Sequence, residues 1–346
     1  MKVNRKMLEI NGQDGGGQIL RSALALSMIT GQGFRMVKIR GKRSKPGLMR
    51  QHLTCVKAAL EVCGGVASGD EMHSTELVFN PGEVKAGDYE FRIGSAGSTT
   101  LILQTVLPAL MLVAEKSTVE IHGGTHNPMA PTADFIKRAF LPQLEKMGGS
   151  VDFECVRYGF APAGGGCIRA EIEPVQSFSN VSILERGEMV SQEVSCVLAN
   201  VREEVADKEL GRVKSALEWG DECFKIVNCD DVDGSGNVLF IEEVFENAVL
   251  HITSLGAMGK TAGRVAGDAV KAYQTFVKSK AAVDQRLADQ LLLPMAVASS
   301  RGCGLGEIKT IGMTNHIKTN IQLIEQFLDV RFEIDDSEPG GLVIRV

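Results

Sequence analysis

Nine cations and no carboxylate fall between Gly15 and Lys57: Arg21, Arg35, Lys38, Arg40, Lys42, Arg43, Lys45, Arg50 and Lys57. The 346-residue chain has 37 Lys+Arg against 43 Asp+Glu, a net charge of −6, so everything outside this window sums to −15. An acidic chain that concentrates positive charge in one stretch sets up a local field for an anion. The stretch opens with Gly15-Gly16-Gly17-Gln18-Ile19-Leu20-Arg21, where a helix is predicted to begin. Glycines let backbone N–H groups approach a phosphate closely, and a helix N-terminus adds partial positive charge. A solvated basic face with a tight turn would account for either feature alone. Together they point to a polyphosphate or a nucleic-acid end.

His316 is the second candidate. It lies in a polar segment, 312–320, expected as a loop immediately before the last helix. Loops on rigid scaffolds are where reactive side chains tend to sit. A neutral imidazole can attack phosphorus if a neighbouring acceptor fixes its tautomer, although a helix-capping loop is the plainer alternative. Of the other histidines (52, 73, 122, 126 and 251), only His122 and His126 stand at ligand spacing, and Gly123-Gly124 between them would break the helix they need. The eight cysteines contain no C-x-x-C pair, which suits reduced thiols rather than a disulfide framework or a zinc site. Asp233-Gly234-Ser235-Gly236-Asn237 invites a calcium-loop reading, but that register puts Cys229 and Phe240 where oxygen ligands are required. It reads as a hairpin turn.

Positioning these residues falls to a repeated unit. Gln104-Thr-Val-Leu107-Pro108 and Gln290-Leu-Leu-Leu293-Pro294 share a Q-x-x-L-P core within apolar helical runs, and Gln18 heads a third such run. A second amphipathic helix follows each, over 53–62, 135–147 and 320–328; the first two end at Gly64-Gly65 and Gly148-Gly149, which suit C-caps. Each pattern then gives way to a strand-like segment. Three such units lie near 7–80, 88–175 and 281–346, around a shared core. Between the second and third, 185–280 differs in composition, with charged helices bracketing strands near 223–228 and 238–245. It reads as an inserted small α/β domain.

At 44% hydrophobic the chain has ample core material, and at 5% aromatic it is poorly suited to stacking single-stranded bases. The start, Met1-Lys-Val-Asn-Arg-Lys, has no apolar run that could serve as a signal peptide. The longest apolar stretch, 101–114, contains Gln104 and Pro108 and is too short to span a bilayer. A soluble cytoplasmic protein is expected, with no membrane partner.

Six segments, in order, make a larger pattern: Gly15-Gly-Gly-Gln18-Ile-Leu-Arg21-Ser; the run from Ile39 through Arg40, Arg43, Pro46-Gly47 and Arg50-Gln51-His52; Gly94-Ser-Ala-Gly97-Ser; Gly123-Gly-Thr-His-Asn127-Pro-Met-Ala-Pro131; Leu287-Ala288-Asp289-Gln290; and Asn315-His316 with Thr319-Asn320. Together they resemble the RNA 3'-terminal phosphate cyclases over nearly the full length. The resemblance implies an α/β fold of three repeated units, each a four-stranded sheet packed on two helices, in a catalytic domain of 1–184 and 281–346 interrupted by the smaller domain at 185–280. It also implies ATP-dependent conversion of an RNA 3'-phosphate end to a 2',3'-cyclic phosphodiester, with Mg²⁺ or Mn²⁺ as divalent metal. By the same resemblance His316 is the nucleophile that takes AMP. Gln104 and Arg286, Leu287, Ala288, Asp289 and Gln290 fall at the ATP site, with Asp289 accepting from a ribose hydroxyl and Pro131 against the adenine. Arg21, Arg40 and Arg43 would hold phosphates, and Asp14 the metal. Two positions depart from the family pattern: Asp14 replaces a Glu, and Arg286 replaces an aromatic residue.

Three other readings make different demands on the chain. A non-catalytic RNA-binding or ribosome-assembly factor on the same scaffold would be expected to lack His316. An enolpyruvyl-type transferase would need two full three-unit domains, and a P-loop enzyme would need a G-x-x-x-x-G-K-[ST] motif that the chain does not contain. Whether subunits associate is not legible from the sequence.

Overall fold

The computed structural model describes residues 7–14, 16–337 and 340–346; Gly15 of the glycine run and the first six residues lie outside them. The first unit runs β1 (Leu8–Asn11), α1 (Gln18–Thr30), β2 (Phe34–Val37), α2 (Arg50–Cys63), β3 (Val66–Ser68) and β4 (Leu77–Asn80). Its sheet has the order β1-β2-β4-β3, with β1 and β2 parallel and the other pairs antiparallel. The second unit repeats this plan. It comprises β5 (Asp88–Arg92), α3 (Thr99–Leu110), β6 (Ser117–Gly123), α4 (Ala133–Phe135), a single π-helical turn leading into α5 (Leu141–Lys146), then β7 (Ser150–Arg157) and β8 (Gly166–Glu173), in the order β5-β6-β8-β7.

The third unit starts earlier than 281. Its first strand is β9 (Ser182–Ile183), which pairs in parallel with β14 (Glu307–Thr310). Between β9 and the rest of that unit the chain builds a fourth sheet from β10 (Met189–Ala199), α6 (Glu203–Leu217), β11 (Phe224–Cys229), β12 (Gly236–Phe245), β13 (Val249–Leu255) and α7 (Ala262–Lys278). It then completes the third unit with α8 (Gln285–Ser300), β14, α9 (Asn315–Phe327), β15 (Glu333–Asp335) and β16 (Leu342–Arg345), in the order β15-β16-β14-β9. The extra sheet therefore sits inside the third unit, not between two whole ones. A two-residue strand has too little periodicity to be recognised in sequence.

Each first helix is apolar on nearly all faces, so it is buried. One hydrophobic cluster runs through all three units, joining Leu20 and Leu24 of α1, Ile102 and Val106 of α3, and Leu287 and Leu291 of α8. Second helices are amphipathic: Val56, Ala59 and Val62 of α2 face inward while Lys57 and Glu61 face out. α2 stops at Gly64, whose φ of 58° closes an N–H bond to the Leu60 carbonyl; a side chain there would be strained.

In the fourth sheet the order is β11-β10-β12-β13, with β11 parallel to β10 and β12 antiparallel to it. The 230–235 connection is consequently not a hairpin turn, because its two strands flank β10 instead of pairing. Alternating apolar residues locate the strands but not their neighbours. Side chains hold the connection instead: Arg157 binds Asp231 and Asp233, and Asn200 donates to the Val232 carbonyl. The hairpin is β12–β13. Among the described residues no helix is long and apolar enough to cross a membrane.

Candidate active site

α1 begins at the glycine run. A Cβ on Gly17 would stand 2.5 Å from His52 Nε2 and 3.0 Å from Arg21 Nη1, and one on Gly16, whose φ is +58°, would stand 3.2 Å from Arg43 Nη2. Bare backbone is what lets these three side chains close over the uncapped start of α1. His52 sits beside Arg40, Arg21 and Arg43. Burial, reinforced by those guanidinium groups, pushes its pKa down to about 3, so it stays neutral there. Burial likewise lowers Arg21, with Cys55 and Asp289 opposing. Arg40 turns back to the Lys45 and Gly47 carbonyls, both at 2.8 Å, and thereby shapes the loop that carries Arg43. Burial lowers Arg40 as well, with Arg43 adding to the effect.

The other wall comes from α8 and α9. Thr314 caps α9 by accepting from the Ile317 N–H at 3.1 Å, so His316 occupies the first helical turn and not a preceding loop. The helix starts earlier than its apolar periodicity because a threonine cap recruits four polar residues into it. His316 is 57% exposed at the side chain, with Nδ1 3.9 Å from Asp289 Oδ2. Asp289 is only 7% exposed. Gln18 Nε2 donates to its Oδ1 at 2.5 Å, and Asn320 Nδ2 lies 3.4 Å from the same oxygen. Burial raises the Asp289 pKa, opposed by His316, Gln18 and Arg21. Ser22 completes the group by donating to Asn320 Oδ1 at 2.9 Å.

Gln18, Arg21, Ser22, Asp289 and Asn320 line a cavity of about 70 Å³ together with Gln104 and Gln290, while His316, His52, Arg40 and Arg43 are not among its lining residues. The repeated Q-x-x-L-P motif explains its floor. Gln104 Nε2 donates to Gln290 Oε1, and Pro108 and Pro294 line the same space. A proline within a helix supplies no N–H to the carbonyl four residues earlier, which leaves the main-chain oxygens of Gln104 and Gln290 without that bond. Among the described residues Gln18 Oε1 is a buried atom without a hydrogen-bond partner, on a side chain that lines the cavity, and buried polar atoms are ordinarily paired.

Of the expected residues, Arg21, Gln104, Asp289 and Gln290 line the cavity and the others do not. Leu287 and Ala288 are 0% exposed within the core, so their side chains hold α8 in place and offer nothing to a ligand. Arg286 is exposed one turn before Asp289, on the same helix face. Pro131 is half-buried, and its carbonyl accepts from Thr100 Oγ1 at 2.7 Å at the start of α3. Asp14 is exposed; Lys42 Nζ lies 2.5 Å from its Oδ1, and its carbonyl accepts from Asn315 Nδ2 at 3.4 Å. A divalent ion at Asp14 would have to displace Lys42 from this carboxylate and draw its remaining ligands from substrate phosphates and water.

Gln18, Ser22, His52 and Asn320 belong to the site although none was singled out as a site residue from the sequence. The available signal was spacing: Gln18 and Ser22, like His316 and Asn320, stand at i and i+4 and share a helix face. The six sequence segments also converge. Gln51 Oε1 accepts from the Ser98 N–H at 2.9 Å, Arg50 Nη1 reaches the Gly94 carbonyl at 3.3 Å, and Asn127 Nδ2 donates to the Ala96 carbonyl.

The family model for RNA 3'-terminal phosphate cyclase matches residues 13–334. A protein of that name from Ectopseudomonas mendocina is 44% identical over 344 residues, spanning 99% of this chain and 98% of the relative. One from Pseudomonas fluorescens is 46% identical over 331 residues, spanning 96% of this chain and 95% of the relative. Among solved structures, an enolpyruvyl transferase of Streptomyces tendae aligns with a TM-score of 0.38 and 10% identity, over 99% of this chain and 48% of that one.

Proposed function

The chain belongs to the RNA 3'-terminal phosphate cyclase family, and we propose that it uses ATP to convert an RNA 3'-terminal phosphate to a 2',3'-cyclic phosphodiester through two adenylylated intermediates. The observation that carries this reading is the placement of His316, exposed on the first turn of α9 with its Nδ1 3.9 Å from a buried carboxylate. An Nδ1–H directed at Asp289 leaves the Nε2 lone pair free to attack.

Nε2 attacks the α-phosphorus of ATP, a P–N bond forms, and diphosphate leaves with the electrons of the broken P–O bond. An oxygen of the RNA 3'-phosphate then attacks that phosphorus and expels the imidazole, giving an RNA-phosphate-AMP anhydride. Finally the adjacent 2'-hydroxyl attacks the RNA phosphorus, AMP leaves, and the hydroxyl proton passes to solvent. Capping with AMP supplies the leaving group that a phosphate dianion lacks, and the neighbouring 2'-hydroxyl makes ring closure effectively unimolecular. Arg21 and Arg43, with the N-termini of α1 and α9, would stabilise charge on the non-bridging oxygens. Asp14 would hold a divalent ion, which when bound supplies further neutralisation of phosphate charge. Arg286 would lie against the nucleotide base, where a planar guanidinium can stack as an aromatic ring does. Residues 185–280 are proposed as an inserted small domain beside the body formed by 1–184 and 281–346.

The test mixes purified protein, Mg²⁺ or Mn²⁺, and α-labelled ATP. Label should become attached to the protein through an acid-labile, alkali-stable bond, and His316→Ala should abolish it. A 3'-phosphorylated RNA should then discharge the label and emerge cyclised. Failure of wild-type protein to take label with either metal would replace this reading with that of a non-catalytic RNA-binding scaffold.

A further inference from the structure

The outer face of the second sheet holds a cluster of side chains that the cyclase reading does not use. In the antiparallel β6–β8 ladder His122 stands directly opposite Cys167, and Glu120, two residues earlier, points to the same face. The inner face of these strands is core, with Val119, Ile121, Ile168 and Ala170 all 0% exposed, so the register is fixed by burial. One ligating atom from each of Glu120, His122 and Cys167 lies within 4.8 Å of the others. Among the described residues His122 Nε2 is buried and makes no hydrogen bond, although Glu120 Oε1 is 2.9 Å away and Glu90 Oε1, on β5, is 3.4 Å away. The carboxylates are near but misaligned for an N–H donor. Imidazole and carboxylate thus converge beside a thiol, with the nitrogen otherwise unsatisfied.

We propose that Glu120, His122 and Cys167 form a binding site for a zinc-class divalent cation. The donor set decides the class. A thiolate and an imidazole with one carboxylate suit Zn²⁺ or Co²⁺, whereas Mg²⁺ and Ca²⁺ take oxygen ligands. Ligands 2.0–2.3 Å from a tetrahedral ion stand roughly 3.3–3.8 Å apart, so donors separated by as much as 4.8 Å must close by up to about 1 Å while Glu120 Oε1, 2.9 Å from His122 Nε2, must open slightly; side-chain torsions on a rigid sheet can supply both. Three protein donors leave a fourth position for water or for Glu90. Arg92 forms an ion pair with Glu90, so Glu90 would have to exchange that partner for the ion. None of the three residues lines the cavity bordered by Gln18, Asp289 and Asn320, so the site can be tested apart from ATP chemistry. On binding, the Cys167 S–H proton is released to solvent and the thiolate bonds to the ion; no electron transfer is involved.

The experiment titrates Co²⁺ into the full-length protein after removal of divalent ions. A near-ultraviolet thiolate-to-cobalt charge-transfer band and the intense visible bands of four-coordinate Co²⁺ should saturate at one equivalent. Zn²⁺ should bleach both, and excess Mg²⁺ should not. Cys167→Ala should remove the charge-transfer band, His122→Ala should weaken Co²⁺ binding at least tenfold, and Cys303→Ala should leave the titration unchanged. A second measurement needs no variant: Zn²⁺ should slow alkylation of Cys167 in wild-type protein and leave Cys303 unaffected. Absence of the band in wild type, its survival in folded Cys167→Ala, or unprotected Cys167 overturns the proposal. Label uptake from ATP by His316 should persist in Cys167→Ala, which separates failure here from failure of the cyclase reading.

Discussion

Replacing Asp289 with asparagine removes one charge and almost no volume. The oxygen that accepts from Gln18 at 2.5 Å can be kept, while the oxygen 3.9 Å from His316 Nδ1 becomes an NH₂ group. If Asp289 orients the imidazole, the charge matters most when Nε2 bonds to phosphorus and the ring becomes cationic. Two unit charges about 4 Å apart interact by about 4 kcal/mol at an effective dielectric of about 20 and by about 1 kcal/mol in bulk water. His316 is half-exposed, so the loss should fall between these limits, or roughly a 5- to 1,000-fold slower reaction. The assay is a single-turnover measurement of label transfer from α-labelled ATP to protein at saturating ATP, followed by a repeat over a range of ATP concentrations. A slower maximal rate with little change in apparent ATP affinity supports orientation of the ring. An unchanged maximal rate with weakened ATP binding would refute it and return Asp289 to the role of ribose acceptor. A folded variant unchanged in both respects would refute either role.

Other consequences can be measured directly. His52 has a depressed folded-state pKa of about 3, so its neutral form contributes stability that is complete above the unfolded value near 6.5 and is lost as pH falls towards 3; His52→Gln should flatten the fall in Tm across that window, and an unaltered Tm profile would contradict the burial argument. Glu209, buried against Cys196 and Asn237, has a pKa raised by burial. The advantage of its protonated state is present below the unfolded value near 4.5 and fades as pH rises through the folded pKa, so Glu209→Gln should gain Tm over wild type at pH 7 and show no gain at pH 4. Gly17→Ala would push a methyl group into His52 and Arg21; label transfer should fall at least tenfold while Tm changes little, and normal transfer would show that the cradle is not used. Phe79 is fully buried and stacks on Phe34 with centroids 5.6 Å apart, so Phe79→Ala should cost about 3–5 kcal/mol in denaturant unfolding.

Much of the fold was legible because helices advertise themselves locally. The apolar runs of α1, α3 and α8, the glycine stops after α2 and α5, and the repeated Q-x-x-L-P motif all lie within a few turns of chain. What escaped notice depended on long-range pairing. β9 is two residues long and finds β14 across more than 120 positions of sequence. The 230–235 connection has the composition of a hairpin yet crosses over, since composition does not say which strand lies alongside. His316 reads as a loop residue in the sequence, whereas Thr314 caps the helix that contains it.

The candidate site divides along the same line. Residue types, order and spacing, read from the chain alone, marked an anion cradle near the amino end and an imidazole near the carboxyl end. They also produced the family resemblance. Only packing placed Gln18 against Asp289, 271 residues apart, and withdrew Leu287 and Ala288 into the core. Only strand register set Cys167 opposite His122, where linear spacing had shown no metal motif. Local sequence fixes the conformation of a segment through torsions and nearby hydrogen bonds, but which buried polar groups face each other is decided by how whole helices and sheets exclude water.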